Sequence, residues 1–159
     1  MSTSESLDVP APPRPPRSAR DRPVLVSGVR SDAHTWNLVF LQLLIEELGH
    51  EVVNLGPCVP EELLISEALQ LRPALVVISS VNGHGYQDGL HLIRRLRADD
   101  RLANVPAVIG GKLGITGGES ESHLADLLSA GFDAVFDDGA EGVLSFRRFV
   151  GSITAGATP

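Results

Sequence analysis

The stretch "VLVSGVRSDAHTWNLVFLQLLIEELGHEVVNLG", Val24 to Gly56, decides how this chain folds. It opens on a short apolar run through Gly28 and breaks at the polar segment Ser31 to Thr35. It then resumes as "NLVFLQLLIEELG", an apolar segment of helical length that stops at Gly49. Glycine just past a helix supplies the left-handed backbone that ends it, so a helix cap is expected there. "EVVNLG" restores the strand signal with two β-branched residues. Strand, helix and strand in about thirty residues is the unit from which parallel sheets are built.

The alternation continues downstream. "PEELLISEALQLR" opens with Pro60 and places Glu61 and Glu62 in a first helical turn, where the helix dipole favours acidic side chains. "PALVVISS" is a third strand run, "YQDGLHLIRRLRADD" a third helix, and "VPAVIGG" a fourth strand. "ESESHLADLLSAG", "FDAVFDD" and "EGVLSFRRFVGS" complete the series as helix, strand and helix. Five strand–helix units whose strands are apolar on both faces predict a parallel sheet covered by helices on both sides. The expected fold class is α/β, a flavodoxin-like, doubly wound, five-stranded parallel sheet.

This core is expected over residues 23–151. Residues 1–22 hold five of the eleven prolines and four of the arginines, a composition that cannot bury enough surface to offset the entropy of ordering, and are read as a disordered Pro/Arg-rich tail. Residues 152–159 are read as a flexible C-terminal tail. With 159 residues and 43% hydrophobic composition, one domain is expected. The net charge of −7 leaves no basic footprint for nucleic acid. Cys58 is the only cysteine, which removes any disulfide framework and suits a reducing, cytoplasmic setting. No run approaches the ~20 apolar residues of a membrane span, so no membrane partner is expected.

Folds of this kind place function at the carboxyl ends of the strands, beside the point where strand order reverses. Ser31, Asp32, Ala33, His34 and Thr35 follow the first strand, and "LGPCVP" follows the second. The third ends in Ser79, Ser80 and Val81, and the fourth in Gly110 and Gly111 followed by "KLGITGG". Asp32 precedes His34 by two residues, the placement a carboxylate needs to accept one ring N–H while the other nitrogen binds a metal. A helix-capping role for Asp32 is the competing reading. His50, His84, His91 and His123 show no His-x-x-His or His/Cys grouping that would complete tetrahedral zinc. A metal with one protein ligand brings its remaining ligands with it, which points to a macrocycle. Gly83 and Gly85 after strand three, with Gly110, Gly111, Gly114, Gly117 and Gly118 around strand four, leave a rim that a large flat ligand or its appendage can approach. A phosphate cradle lacks its motifs, and a phosphate-accepting receiver would need a carboxylate where Ser79 and Ser80 stand.

Asp32-Ala33-His34, Ser79-Ser80-Val81 and Gly110-Gly111 together resemble the Asp-x-His-x-x-Gly, Ser-x-Leu, Gly-Gly signature of the base-off/His-on cobalamin-binding domains. The separations agree, with 41 residues between Asn37 and Ser79 and 28 between Val81 and Gly110. Around the motif, "SDAHTWN", "HEVVNLGPCVPEELL" and "VISSVNGHG" are similar to the small subunits of glutamate (methylaspartate) mutases along nearly the whole core, Val24 to Val150. Two positions depart: Asn37 stands where that family has glycine, and Val81 where it has leucine.

The resemblance implies that His34 is the lower axial ligand of the cobalt in adenosylcobalamin, with Asp32 as its hydrogen-bond partner. It implies that Ser79 contacts the displaced nucleotide tail, that Ser80 and Val81 line the tail's crevice, and that Gly110 and Gly111 let the tail pass. Ser31, Ala33 and Thr35 flank the ligand, and Lys112, Leu113, Gly114, Ile115 and Thr116 map onto further cofactor contacts. No catalytic residue is expected in this chain. The amino-acid substrate would be bound mainly by a separate large, barrel-type mutase subunit, giving a hetero-oligomer that rearranges the carbon skeleton of glutamate to 3-methylaspartate, or of a related amino acid. The narrow polar stripe of the first helix, Asn37, Gln42, Glu46 and Glu47, suggests burial around much of its circumference. The alternative is a stand-alone cobalamin module, a corrinoid methyl carrier or sensor, without isomerase activity.

Overall fold

The computed structural model describes residues 22–29, 35–80, 85–111, 120–136 and 139–155. The tail reading for residues 1–22 lies outside these apart from Arg22. The elements alternate along the chain as β1 (Val24–Gly28), α1 (Trp36–Glu47), β2 (Val52–Asn54), α2 (Glu61–Leu71), β3 (Leu75–Ser80), α3 (Gly85–Ala98), β4 (Ala107–Gly111), α4 (Ser120–Ala130), β5 (Ala134–Phe136) and α5 (Ala140–Ala155). All strand pairs are parallel, in the order β2-β1-β3-β4-β5. The expected fold class is therefore observed, and strand order reverses between β1 and β3. Among the described residues no helix is long and apolar enough to cross a membrane.

The helix ends follow the local chemistry. α1 closes on Gly49 at φ +93, whose N–H reaches the Glu46 carbonyl while His50 N–H reaches that of Ile45. Its N-cap is Thr35, three residues beyond Asp32, so the capping position weighed for Asp32 falls elsewhere. α2 takes Pro60 as N-cap, with Glu61 and Glu62 in its first turn. α5 runs to Ala155 and Ile153 packs against the core, so the helix takes in residues 152–155, which their Gly- and Ala-rich neighbourhood had assigned to a tail.

Strand residues alternate between two cores, as a period of two requires. Leu25, Val76, Ile78, Ala107 and Ile109 face α2, α3 and α4, where they meet Leu64, Leu92, Ile93, Leu96 and Leu127. Val24, Val26, Leu75, Val77 and Val108 face α1 and α5, meeting Leu38, Leu44, Ile45, Phe146 and Val150. α1 does not bury most of its circumference within the chain: Trp36 is 86% exposed, and Phe40 and Leu43 are also exposed. Those three lie at i, i+4 and i+7, on one face of the helix.

Candidate functional site

Register brings the signature strands together at one rim. Gly28 pairs with Ser79, Ser79 with Gly110, and Ser80 with Gly111. The segments expected to carry Ser31, Asp32, Ala33 and His34, Val81, and Lys112 to Thr116 thus depart from three adjacent strand ends. Those residues themselves lie outside the described residues.

Below the rim, a crevice of about 160 Å³ opens between α1, α5 and the sheet. From α1 it takes Asn37, Phe40, Leu41 and Leu44; from α5, Gly142, Val143 and Phe146. From the sheet it takes Val77, Ser79, Val108, Gly110 and Phe136, with Gly111 at the edge. Among the described residues none that line it is titratable. A neutral, mostly apolar slot with one buried hydroxyl suits an aromatic heterocycle far better than a phosphate or carboxylate, which would pay heavily for desolvation. An apolar cavity of about 150 Å³ is enough to hold a benzene ring. The residues present therefore fit the nucleotide base of a corrinoid tail.

Ser79 and Ser80, expected side by side in this crevice, part ways. Ser79 continues the Leu75–Val77 side of β3 toward α1 and α5 and lines the crevice, 3% exposed. Ser80 continues the Val76–Ile78 side toward the opposite layer, is fully buried and is not part of the lining. Strand alternation makes this unavoidable, and it corrects the expectation that Ser80 lines the slot. Thr35 is exposed at the start of α1. Asn37, read only as a departure at the helix start, donates from Nδ2 to Ser79 Oγ.

The paired glycines have a structural reason independent of any ligand. A Cβ on Gly111, at φ +102, would lie 1.9 Å from the Ser80 carbonyl oxygen. A Cβ on Gly110 would meet the Phe136 carbonyl oxygen at 3.2 Å and Phe136 Cβ at 3.4 Å. Phe136 stands edge-on to Phe146 at 5.5 Å between ring centroids, tying the sheet to the α5 wall.

The sequence reading missed the α5 wall and the aromatic Phe40 and Phe136. Right-handed crossovers put α1 and α5 on the same face once strand order is known, but that order is not written in any local pattern.

Two of the described histidines lie away from the crevice. His91 Nδ1 lies 2.6 Å from Oε1 of the buried Glu61, and the Tyr86 ring stacks at 4.1 Å from that of His123 while its hydroxyl donates to Asp126 at 2.8 Å. That bond holds the Tyr86 hydroxyl above its ordinary pKa. Among the described residues no three His, Cys, Asp or Glu side chains gather to hold a metal.

Fold and crevice define an α/β domain with an apolar slot opening at the carboxyl edge of a parallel sheet. Residues 22–145 match the model of the B12 binding domain, and the chain belongs to that family. It is 33% identical over 118 residues to glutamate mutase sigma subunit 1 of Haloarcula marismortui, covering 73% of this chain and 76% of that one. It is 31% identical to the glutamate mutase sigma subunit of Halobacterium salinarum, over 75% and 78% of the two chains. Among solved structures, a cobalamin-binding protein from Desulfitobacterium hafniense superposes with a TM-score of 0.63 at 20% identity, over 81% of this chain and 59% of that one. A receiver domain of a Pseudomonas aeruginosa histidine kinase reaches 0.59 at 14%, over 84% and 98%. At such identities these structures speak to the fold alone.

Proposed function

We propose that this chain is the cobalamin-binding small subunit of an adenosylcobalamin-dependent carbon-skeleton mutase of the glutamate/3-methylaspartate type. The observation that carries the reading is the neutral crevice between α1 and α5, with Ser79 buried in it and Gly110 and Gly111 at its edge, in a chain similar along most of its length to glutamate mutase sigma subunits. When bound, adenosylcobalamin supplies radical chemistry through its weak cobalt–carbon bond.

The chain's own residues hold and orient that group. His34, backed by Asp32, is the residue that would bind the cobalt, and Ser31, Ala33, Thr35, Val81 and Lys112 to Thr116 would supply further contacts to the cofactor. Ser79 offers its hydroxyl to the tail, whose base is enclosed by Leu44, Val108, Val143 and Phe146. These apolar walls would exclude water from the tail and hold its base in the slot, leaving His34 to bind the cobalt. Among the described residues the crevice lining contains no titratable group, and in this reading substrate chemistry belongs to a separate large subunit that completes the active site. In this reading the chain is inactive alone, works in the cytoplasm, and consists of a core over 23–151, extended by the α5 residues to 155, behind an N-terminal tail.

Titration of the purified full chain with cob(II)alamin tests the assignment. The paramagnetic resonance spectrum should show superhyperfine splitting from an imidazole nitrogen, and His34→Ala should abolish it. An unchanged spectrum in the variant removes His34 as ligand. Methyl transfer without amino-acid rearrangement, in the presence of the natural partner, would decide for a corrinoid carrier.

A further inference from the structure

Asn37 occupies the position where the family signature has glycine, and its amide bonds Ser79 across the gap between α1 and β3. Ser79 is almost fully buried, and a buried hydroxyl needs a partner; Asn37 provides one. Both residues line the crevice. Both also lie at its rim, because Asn37 is the second residue of α1 and Ser79 the penultimate residue of β3. Leu44, in the same lining, comes seven residues after Asn37, roughly 10 Å deeper at 1.5 Å per helical residue. The Asn37–Ser79 bond therefore spans the mouth and not the floor. Glycine at position 37 would leave that side of the mouth open.

We propose that Asn37 is a latch and a specificity-determining residue. It closes the crevice mouth onto Ser79 in the free protein and yields when the nucleotide tail of a corrinoid enters. This rests on the cobalamin reading above. Among the described lining residues Ser79 carries the one side-chain hydroxyl, and the Asn37 amide meets it across the mouth, so a base that enters must part the two. A base with an acceptor nitrogen can then accept from the Ser79 O–H; a corrinoid without a tail does not enter the slot and never meets the latch. Opening requires a rotamer change in one side chain and no movement of the sheet.

The test compares association rates of adenosylcobalamin and of tail-less adenosylcobinamide with the full-length chain, followed by stopped-flow absorbance. Asn37→Gly should take up adenosylcobalamin about fivefold faster, as expected for removing one net hydrogen bond, and bind adenosylcobinamide at the wild-type rate. Asn37→Ala provides the same comparison if the glycine variant does not fold. Ser79→Ala should also speed adenosylcobalamin entry, yet release it faster because the tail has lost its hydroxyl partner. Equal adenosylcobalamin rates in wild type and variants overturn the latch and leave the cobalamin reading standing. Equal acceleration of both corrinoids overturns it as a gate for the tail. Failure of wild type and every variant to bind either corrinoid overturns the cobalamin reading and the latch with it.

Discussion

Three helices, α2, α3 and α4, cover one face of the sheet, whereas α1 and α5 alone cover the other. On the first face, Leu92, Ile93 and Leu96 of α3 interlock with Ile109 and Leu127, and polar anchors fix the periphery. Arg97 donates to the carbonyls of Gly131, Leu102 and Val105, and Arg95 reaches Glu62 at 2.8 Å. On the second face, α1 and α5 diverge over β3 and β4 and leave the crevice. Two helices cannot tile five strands, so the face with less cover is where a ligand can be admitted without dismantling the core. The same division separates Ser80, locked in the packed layer, from Ser79, turned to the open one.

The largest expected effect sharpens this contrast through truncation. Leu127→Ala, in the packed face, should cost about 2–5 kcal/mol, and Leu44→Ala, whose side chain already borders the crevice, should fall at or below the low end of that range. Urea unfolding of the two variants measures the difference; equal losses would mean that the faces are equally well packed.

Gly111→Ala probes the seam between them. Its Cβ would press on the Ser80 carbonyl from a left-handed backbone, so a loss of about 1–3 kcal/mol is expected. Gly89→Ala makes the useful comparison, because its Cβ would meet Ile109 Cδ1 at 2.6 Å, a side-chain terminus that can shift. The Gly89 variant should therefore retain more stability in the same unfolding measurement.

Filling the crevice should separate binding from stability. Val143→Phe places an aromatic ring where the tail base is proposed to sit. Adenosylcobalamin affinity should fall by more than about tenfold, roughly 1.4 kcal/mol, while the unfolding midpoint stays near wild type. A variant that binds normally would show that the base lies elsewhere.

The smallest effect belongs to the packed face's edge. Tyr86 is the only tyrosine, so the ultraviolet phenolate band reports it alone. Its pKa is raised chiefly by the hydrogen bond to Asp126, so that bond's contribution is complete below the unfolded pKa of 10.0 and is lost as pH rises through the higher folded value. Asp126→Asn should move the phenolate midpoint down toward 10.0. An unmoved midpoint would mean that the bond does not form in solution.

Much of this molecule could be read from local pattern. Periodicity and turn residues placed all ten elements, because apolar spacing and helix ends such as Gly49 act over a few residues. The order β2-β1-β3-β4-β5 followed only as a property of the fold class, and the α5 wall depended on it. Ser79, Gly110 and Gly111 meet at one rim, since the carboxyl ends of adjacent parallel strands must lie together. Even the divergence of Ser79 and Ser80 was implicit in strand alternation, although the motif presented them as a pair.

What the chain's sequence determined by itself was its alternating architecture and the residue types available at one edge, because both are set by short-range backbone and solvation preferences. What only the tertiary structure decided was which partners those residues meet. The engagement of Asn37 with Ser79, 42 positions away, the filling of Gly110's side-chain space by Phe136, and the gap left by α1 and α5 all depend on contacts between distant segments. Such contacts are fixed by how layers of finite width pack on a sheet, and no local run of residues encodes that.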